Sequence, residues 1–307
     1  MLKCSVVLST YNGEKYIYEQ LESLLKQSRM IDEVIISDDC STDNTLNIIK
    51  QYTEDNNLFH WKVYQNKVNK GWRKNFIDGM KMATGDLIFP CDQDDIWRSD
   101  KLEVMEKIMI NHEEIGVLVS NYIELYNNSK QVVRPHGNTK RLHKIDVKKK
   151  FMDVEYPGCT YCVRKKFFEK IVVYWQETIP HDGLIWRLGM FANQLYAYDD
   201  SLINQRKHRD STFSMEANSA RTLEARKDDV KYVRRVLNGL EKFLQNEGLY
   251  TLDYEVILNK ANEWVDCREK LYKTLNPIYL IFLIKYISYY QTLKKYLLDI
   301  WVIILKK

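Results

Sequence analysis

Four groups of side chains have the types and spacing for chemistry. Asp92-Gln93-Asp94-Asp95 sets three carboxylates within four residues, directly behind the apolar run Leu87-Ile88-Phe89-Pro90. Carboxylates that close repel one another, and a hard divalent cation with oxygen ligands joins them. Mg²⁺ typically takes one or two carboxylates together with substrate phosphates. Alone, the cluster also reads as a solvated acidic turn capping the helix that begins near Trp97. Asp38-Asp39 closes a second apolar run and Asn69-Lys70-Gly71 opens a further helix, which favours a ligand over a bare turn. Downstream, Pro180-His181-Asp182 stands at a helix start. There the helix dipole holds a carboxylate ionised, although Asp is also a common helix cap. Arg206-Lys207-His208-Arg209 suits a phosphate, with a solvated loop as the alternative.

The elements that must position these groups follow from apolar spacing. Ser5–Ser9, carrying Val6, Val7 and Leu8, reads as a strand that ends in the turn Thr10-Tyr11-Asn12-Gly13. Ile17, Leu21, Leu24 and Leu25 fall at helical spacing between Lys15 and Lys26. A second strand, Glu33–Ser37, precedes a helix capped by Ser41-Thr42-Asp43 and running to about Tyr52. A third, Trp61–Gln65, leads to the helix Trp72–Ala83, and a fourth, Leu87–Phe89, enters the acidic turn. Strands alternating with helices predict a parallel sheet covered on both faces, with ligands beyond the carboxyl ends of its strands. That edge carries Thr10, Asn12, Asp38, Asp39, Asp92 and Asp94. Further on, strands over Gly116–Leu125, Tyr156–Val163 and Leu195–Tyr198 are expected, with helices from about Arg164 to Gln176 and from His181. Two long helices, about Glu216–Gln245 and Asp253–Lys273, follow.

Several function classes are excluded or weakened. No G-x-G-x-x-G follows a strand and no G-x-x-x-x-G-K-[ST] occurs, so ordinary dinucleotide and P-loop readings lose support. The formal charge of +4 is too small for a strongly basic nucleic-acid binder, and no basic, aromatic-interleaved surface in the first 275 residues supports one. Six cysteines in 307 residues are too sparse for a disulfide framework, and Met1-Leu2 leads straight into the first strand, so a reducing cytoplasm is expected. Cys159-x-x-Cys162 lacks the second pair of a zinc site and reads as two small residues of a buried strand.

The landmarks together resemble the family 2 glycosyltransferases. Ser5–Gly13 is similar to the family's opening strand and loop, and Asp32–Thr45 to its second strand and nucleotide-binding turn. Asn69-Lys70-Gly71 and Ala83-Thr84-Gly85-Asp86 match its next two landmarks. Asp92-Gln93-Asp94-Asp95-Ile96-Trp97 matches the D-x-D element in the form seen in rhamnosyltransferase-like members. The resemblance implies a GT-A fold: an α/β, Rossmann-like nucleotide-sugar-binding mixed sheet flanked by helices, here with a C-terminal helical extension. It also implies a nucleotide-sugar donor, Mg²⁺ or Mn²⁺, and inversion at the anomeric carbon. Thr10 and Asn12 would line the base pocket, with Asp39 reading the N3–H of uracil or thymine. Asp92 would contact ribose and sugar, and Asp94, with Asp95, the metal. Lys70 or Arg73 would neutralise phosphates or, equally, decorate a helix start. Asp182 would be the general base that takes the acceptor proton, with His181 a neighbour. Arg206 and His208 match an Arg-x-His pair facing the diphosphate or the metal. Gln205, Arg209 and Ser211 depart from the usual aromatic, glycine and asparagine around that pair, which puts the loop geometry in doubt. Trp186 and Tyr161 are candidates for the acceptor groove or for the core.

The likeness favours dTDP-rhamnose as donor and a glycan or lipid-linked oligosaccharide as acceptor. A UDP-hexose or UDP-HexNAc transferase of the same fold, and a non-catalytic nucleotide-sugar-binding protein, stay open. A processive synthase would need a Q-x-x-R-W motif, and a nucleotidyltransferase a glycine-rich basic loop after the first strand; neither is present. The expected organisation is a catalytic domain over 1–215 (nucleotide-sugar half about 1–98, acceptor half about 99–215), a helical extension over 216–275 and a basic tail over 276–307. The tail holds five lysines and one acid, leaving 41 basic and 41 acidic residues in the rest of the chain. Its apolar runs, broken by Lys285 and Lys294-Lys295, are too short to span a bilayer. With its tyrosines it reads as an interfacial segment, over 277–307, held to the inner face of the cell membrane. The alternative is packing on the domain or on another subunit, which would make a homo-oligomer.

Overall fold

Cys4–Thr10 (β1) is buried along almost its whole length and forms the centre of a sheet. It is flanked on both sides by parallel partners, Glu33–Asp38 (β2) and Leu87–Asp92 (β4), and Trp61–Gln65 (β3) pairs parallel beyond β2. Ile17–Leu25 (α1), Thr45–Asp55 (α2) and Trp72–Met82 (α3) connect them in the expected order. On α1 the helical spacing lays Ile17, Leu21 and Leu24 onto the sheet. Burying side chains of this size stabilises by about 1.5–3 kcal/mol each. These residues join Val6, Leu8, Ile36 and Phe89 in one core.

The computed structural model describes residues 1–126, 130–134, 137–148, 150–208 and 222–305, with the backbone alone for 130–134 and 305. After β4 come Ile96–Trp97 (β5), Lys101–Asn111 (α4), Val117–Tyr126 (β6), Lys130–Arg134 (β7) and Leu142–Lys144 (β8). Tyr161–Arg164 (β9), Lys165–Val172 (α5), His181–Phe191 (α6) and Leu195–Lys207 (β10) follow. The strand order is β3-β2-β1-β4-β9-β6-β10-β5, with β7 on β6 and β8 on β10. β9 is antiparallel to both β4 and β6, so the sheet is mixed, as the GT-A likeness implies.

Several elements differ from expectation, among them the helix expected from about Arg164 to Gln176, which ends at Val172. β10 runs on to Lys207, well past Tyr198, because two register shifts, between Tyr198 and Ser201 and between Ser201 and Asn204, interrupt the alternation that marks a strand. The strand expected from Tyr156 begins only at Tyr161, after a 3₁₀ turn over Gly158–Thr160, so Cys159 lies in a turn and only Cys162 in a strand. β4 pairs with β1 through to Ser9↔Asp92, but with β9 only at Leu87 and Ile88. Pro90 has no N–H with which to extend a ladder.

The chain divides into two compact units, Met1–Ile145 with Glu155–Lys207, and Asp146–Val154 with His208–Lys307. The second unit holds Leu223–Asn246 (α7), Leu252–Thr274 (α8), Ile278–Leu283 (α9) and Leu293–Ile300 (α10). Thr222 and Thr251 cap α7 and α8 by accepting from Ala225 N and Tyr254 N. The expected start at Glu216 lies outside the described residues.

The tail is part of this unit rather than an appendage. Tyr286, Tyr289, Tyr290 and Tyr296, expected at a lipid interface, are buried. Their hydroxyls find acceptors inside the unit: Tyr286 donates to Glu263, Tyr290 to Asp299 and Tyr296 to the Leu280 carbonyl. Asp299 is fully buried, where it accepts from Arg226 Nε (2.9 Å) and Arg268 Nε (3.0 Å) as well as from Tyr272. Asp229 pairs with Arg268 (2.8 Å) and Lys295 (3.3 Å). Burial alone would raise the Asp299 carboxyl, but Arg268 and Arg226 outweigh it and hold the group below the usual carboxylate range. Six exposed apolar side chains fall on one stretch, Leu275, Ile278, Ile281, Phe282, Ile284 and Ile287, and others lie at Leu252, Val256, Leu293, Leu297 and Ile304. Lys306 and Lys307 lie outside the described residues. Among the described residues no helix is long and apolar enough to cross a membrane.

Candidate active site

The ends of β1, β2 and β4 come level at one edge of the sheet, with Thr10 opposite Asp38 and Ser9 opposite Asp92. Asp38 is consumed by structure. It accepts from Thr10 Oγ1 (2.9 Å), from the Ser41 backbone (3.0 Å) and from Ser41 Oγ (2.5 Å). Asp39 is the residue this frame presents. Its N–H donates to the Thr10 carbonyl, and its Oδ1 accepts from Asn66 Nδ2 (2.9 Å) and the Lys70 backbone (2.8 Å). Asn75 ties the same corner together by donating to Ser9 Oγ and the Ser37 carbonyl. Asn12, at φ 48°, receives the Thr42 N–H on its Oδ1 while its own N–H donates to Ser41 Oγ. It locks the two nucleotide-side loops to each other.

The acidic turn is built on a different logic. The ligand atoms of Asp92, Asp95 and Cys159 lie within 4.8 Å of one another. Asp95 is almost fully buried; its Oδ1 accepts the Arg206 N–H (3.0 Å) and its Oδ2 has no partner. Burial, then the neighbouring Asp94, pushes the Asp95 carboxyl up to about 7. Burial together with Asp95, Asp94 and Asp182 raises Asp92 well above the usual range. An orphaned buried oxygen facing a second carboxyl is an oxygen donor pair that fits a hard divalent cation, whereas burial raises the Cys159 thiol well above its usual range and leaves it a neighbour. The group that converges is thus Asp92, Asp95 and Cys159; Asp94 stands beside it on the same turn, and His208 belongs to the second unit.

Arg206 braces the turn from behind. Its guanidinium donates to the Asp94 carbonyl (3.0 Å), pairs with Glu19 (2.8 Å) and lies over the Tyr16 ring at 4.9 Å. Lys70 meets the site through its backbone, while its ammonium pairs with Asp78 at 3.1 Å. The Arg73 guanidinium stacks on Trp72 at 4.4 Å. Asp182, in the first turn of α6, is half-buried, and its Oδ1 accepts its own neighbour's N–H, that of Gly183 (2.6 Å). Its charge is felt at Asp92. His181 stacks on Phe76 at 4.1 Å, with burial lowering its imidazole. Trp186 and Tyr161 are core residues. Arg209 and Ser211 lie outside the described residues.

Lys101 was not foreseen. It is fully buried, with its ammonium donating to the Cys159 carbonyl (2.6 Å) and lying 3.6 Å from the centre of the Trp97 ring. Burial pushes it down to about 8. Its charge acts on Cys159, Cys91 and Asp95. The signal was its position one turn before Met105 and two before Met109, on the buried stripe of α4.

A mixed α/β sheet whose parallel strand ends gather carboxylates on the ligand-binding edge defines a class of nucleotide-dependent transferase. The chain belongs to Glycosyl transferase family 2, whose sequence profile matches residues 5–172. It is 31% identical over 209 residues to the dTDP-rhamnosyl transferase RfbG of Shigella flexneri, covering 62% of this chain and 68% of that protein. It is 36% identical over 121 residues to the poly(ribitol-phosphate) beta-N-acetylglucosaminyltransferase TarS of Staphylococcus aureus (strain Mu50), covering 39% of this chain but 21% of TarS. The crystal structure of S. aureus TarS 1-349 in complex with UDP-GlcNAc superposes with a TM-score of 0.61 at 22% identity, covering 94% of this chain and 89% of that one. That likeness shows the GT-A fold.

Proposed function

We propose that this glycosyltransferase moves rhamnose from dTDP-rhamnose to a glycan or lipid-linked oligosaccharide, with inversion, in surface polysaccharide synthesis. The observation that carries the reading is the convergence on one sheet edge of Asp39, the Asp92–Asp95 turn and the charge of Asp182. The choice of donor is supported by the likeness to RfbG over 62% of the chain and by the D-Q-D-D-I-W form of the turn. A UDP-HexNAc or UDP-hexose donor is the second reading, favoured by the likeness to TarS.

In the proposed reaction Asp39 accepts the N3–H of the base, and Thr10 and Asn12 shape the loop beneath it. The acceptor hydroxyl gives its proton to Asp182 as its oxygen attacks the anomeric carbon. The bond from that carbon to the diphosphate breaks on the opposite face, and the nucleoside diphosphate leaves with the electron pair. Mg²⁺ or Mn²⁺, which Asp92 and Asp95 would hold with Asp94 at hand, would supply positive charge against the leaving diphosphate. Arg206 keeps the turn in place by its bonds to Asp94 and Asp95. Contact with the inner face of the membrane is proposed through the aliphatic stretch 275–287, beside exposed Lys270, Lys273 and Lys285.

Incubating the protein and Mn²⁺ or Mg²⁺ with dTDP-rhamnose, UDP-glucose and UDP-GlcNAc, and measuring nucleoside diphosphate release, tests the reading. Release of dTDP is expected. Release of UDP alone would move the assignment to the second reading, and no release from any donor would leave a binding protein.

A further inference from the structure

The paired backbone of β1 and β4 ends at Ser9↔Asp92, and beyond that rung the two strands become the nucleotide loop and the acidic turn. One more connection crosses the gap, and a side chain makes it. Gln93 Oε1 accepts the Tyr11 N–H at 2.8 Å, and Gln93 Nε2 donates to the Tyr11 carbonyl at 3.0 Å. A primary amide carries one acceptor and one donor side by side, as a peptide unit does, so it can stand in for a rung of the ladder.

The neighbouring glycine is shaped to this amide. A Cβ on Gly13 would sit 2.3 Å from Gln93 Oε1 and 2.5 Å from its Cδ. Gly13 is not among the residues with positive φ, so its backbone alone would accept alanine. The absent side chain makes room for the amide. Loop 10–13 is tied on its other flank as well, by Asn12 to Ser41 and Thr42 and by the Gly13 N–H to Thr45 Oγ1 (2.7 Å).

We infer that Gln93 is a positioning residue that clamps the nucleotide loop to the acidic turn and so fixes the spacing between base and diphosphate subsites. This rests on the proposed reading in one respect, that those two loops hold the donor. Glutamate at 93 cannot make the same rung, because it has no donor for the Tyr11 carbonyl and would set a charge against it.

The test is a double-mutant cycle, Gly13→Ala, Gln93→Ala and both together. Binding of dTDP and of UDP with Mn²⁺ is read by calorimetry, and donor KM and kcat by diphosphate release. Each single substitution should weaken diphosphate binding and raise donor KM roughly fivefold, the scale of a partly exposed hydrogen-bonded pair, with little change in kcat. Gln93→Glu should bind more weakly than Gln93→Ala. In the Gln93→Ala background, Gly13→Ala should add nothing, since the atom its Cβ displaces is gone. Equal effects of Gly13→Ala in both backgrounds would overturn the clamp. A second measurement needs no nucleotide: hydrogen exchange of the Tyr11 amide should speed up in Gln93→Ala, and unchanged exchange would also overturn it. Should the wild-type protein bind neither nucleotide, the donor reading fails while the exchange measurement still decides the clamp.

Discussion

Asp299→Ala is expected to cost the helical unit about 3–5 kcal/mol, because it breaks a buried ion network from one side. The side chains of Asp299, Arg226 and Arg268 are 0%, 2% and 1% exposed. Three cations, Arg226, Arg268 and Lys295, are balanced there by two acids, Asp229 and Asp299. Removing Asp299 leaves the three facing Asp229 alone and strips the acceptor from the Tyr272 and Tyr290 hydroxyls. Asp299→Asn keeps the shape but turns an NH₂ group toward guanidinium donors, so it should cost nearly as much. The penalty is that of orphaned charge, not of lost attraction. The combined variant Arg226→Met, Arg268→Met, Asp299→Leu should therefore recover most of it. Urea unfolding followed at Trp264 suits the measurement, since its ring lies 5.0 Å from that of Tyr290 and 5.2 Å from the Arg268 guanidinium. For a unit of this size each kcal/mol moves the midpoint temperature by about 4–8 °C. A cost below about 1 kcal/mol for Asp299→Ala would refute the reasoning, since it would mean that water reaches the network.

Asp182→Asn should lower kcat by roughly 10²–10⁴-fold while leaving nucleotide binding intact; near-normal turnover would remove Asp182 as the base. Glu33 accepts from Ser5, Thr84 and Lys62, and these bonds outweigh burial to hold its carboxyl at about 2. Its contribution is therefore whole above the ordinary glutamate range and is lost as the pH falls from there through about 2. Glu33→Gln should cost roughly 1–2 kcal/mol near neutrality in urea unfolding, a gap that narrows in acid; a gap independent of pH would refute it. Ile281→Glu with Phe282→Glu, at side chains 64% and 51% exposed, should abolish co-sedimentation with anionic liposomes without lowering the unfolding midpoint. Retained binding would move the contact elsewhere. Deleting residues 277–307 is not an equivalent test, because it takes Asp299 with it.

What was legible in the sequence is what local spacing controls. β1 to β4 and their helices are short apolar runs and 3.6-residue stripes bounded by turn residues, and the carboxylates at their ends fell on the edge where such sheets bind ligands. β10 was cut short because its pairing shifts twice, which no single-strand pattern encodes. Lys101 escapes a local reading, and only the buried stripe it shares with Met105 and Met109 distinguishes it. The tyrosines of the tail have the composition of an interfacial belt, but a buried phenol is equally content where an acceptor waits, and Asp299 and Glu263 provide one. Cys159 read correctly as buried; that it faces Asp92 and Asp95 depends on a turn following β4 by more than sixty residues of chain.

Pro90 has a mechanical consequence. On one side β4 is fastened to β1 as far as Asp92, whereas on the other its pairing stops at Ile88, before the proline. The near end of the acidic turn is thus rooted in β1, the same strand whose end carries Thr10 and leads into the nucleotide loop. Any displacement of β1 carries the starts of both loops together, while the far end of the acidic turn follows β10 through β5 and Arg206.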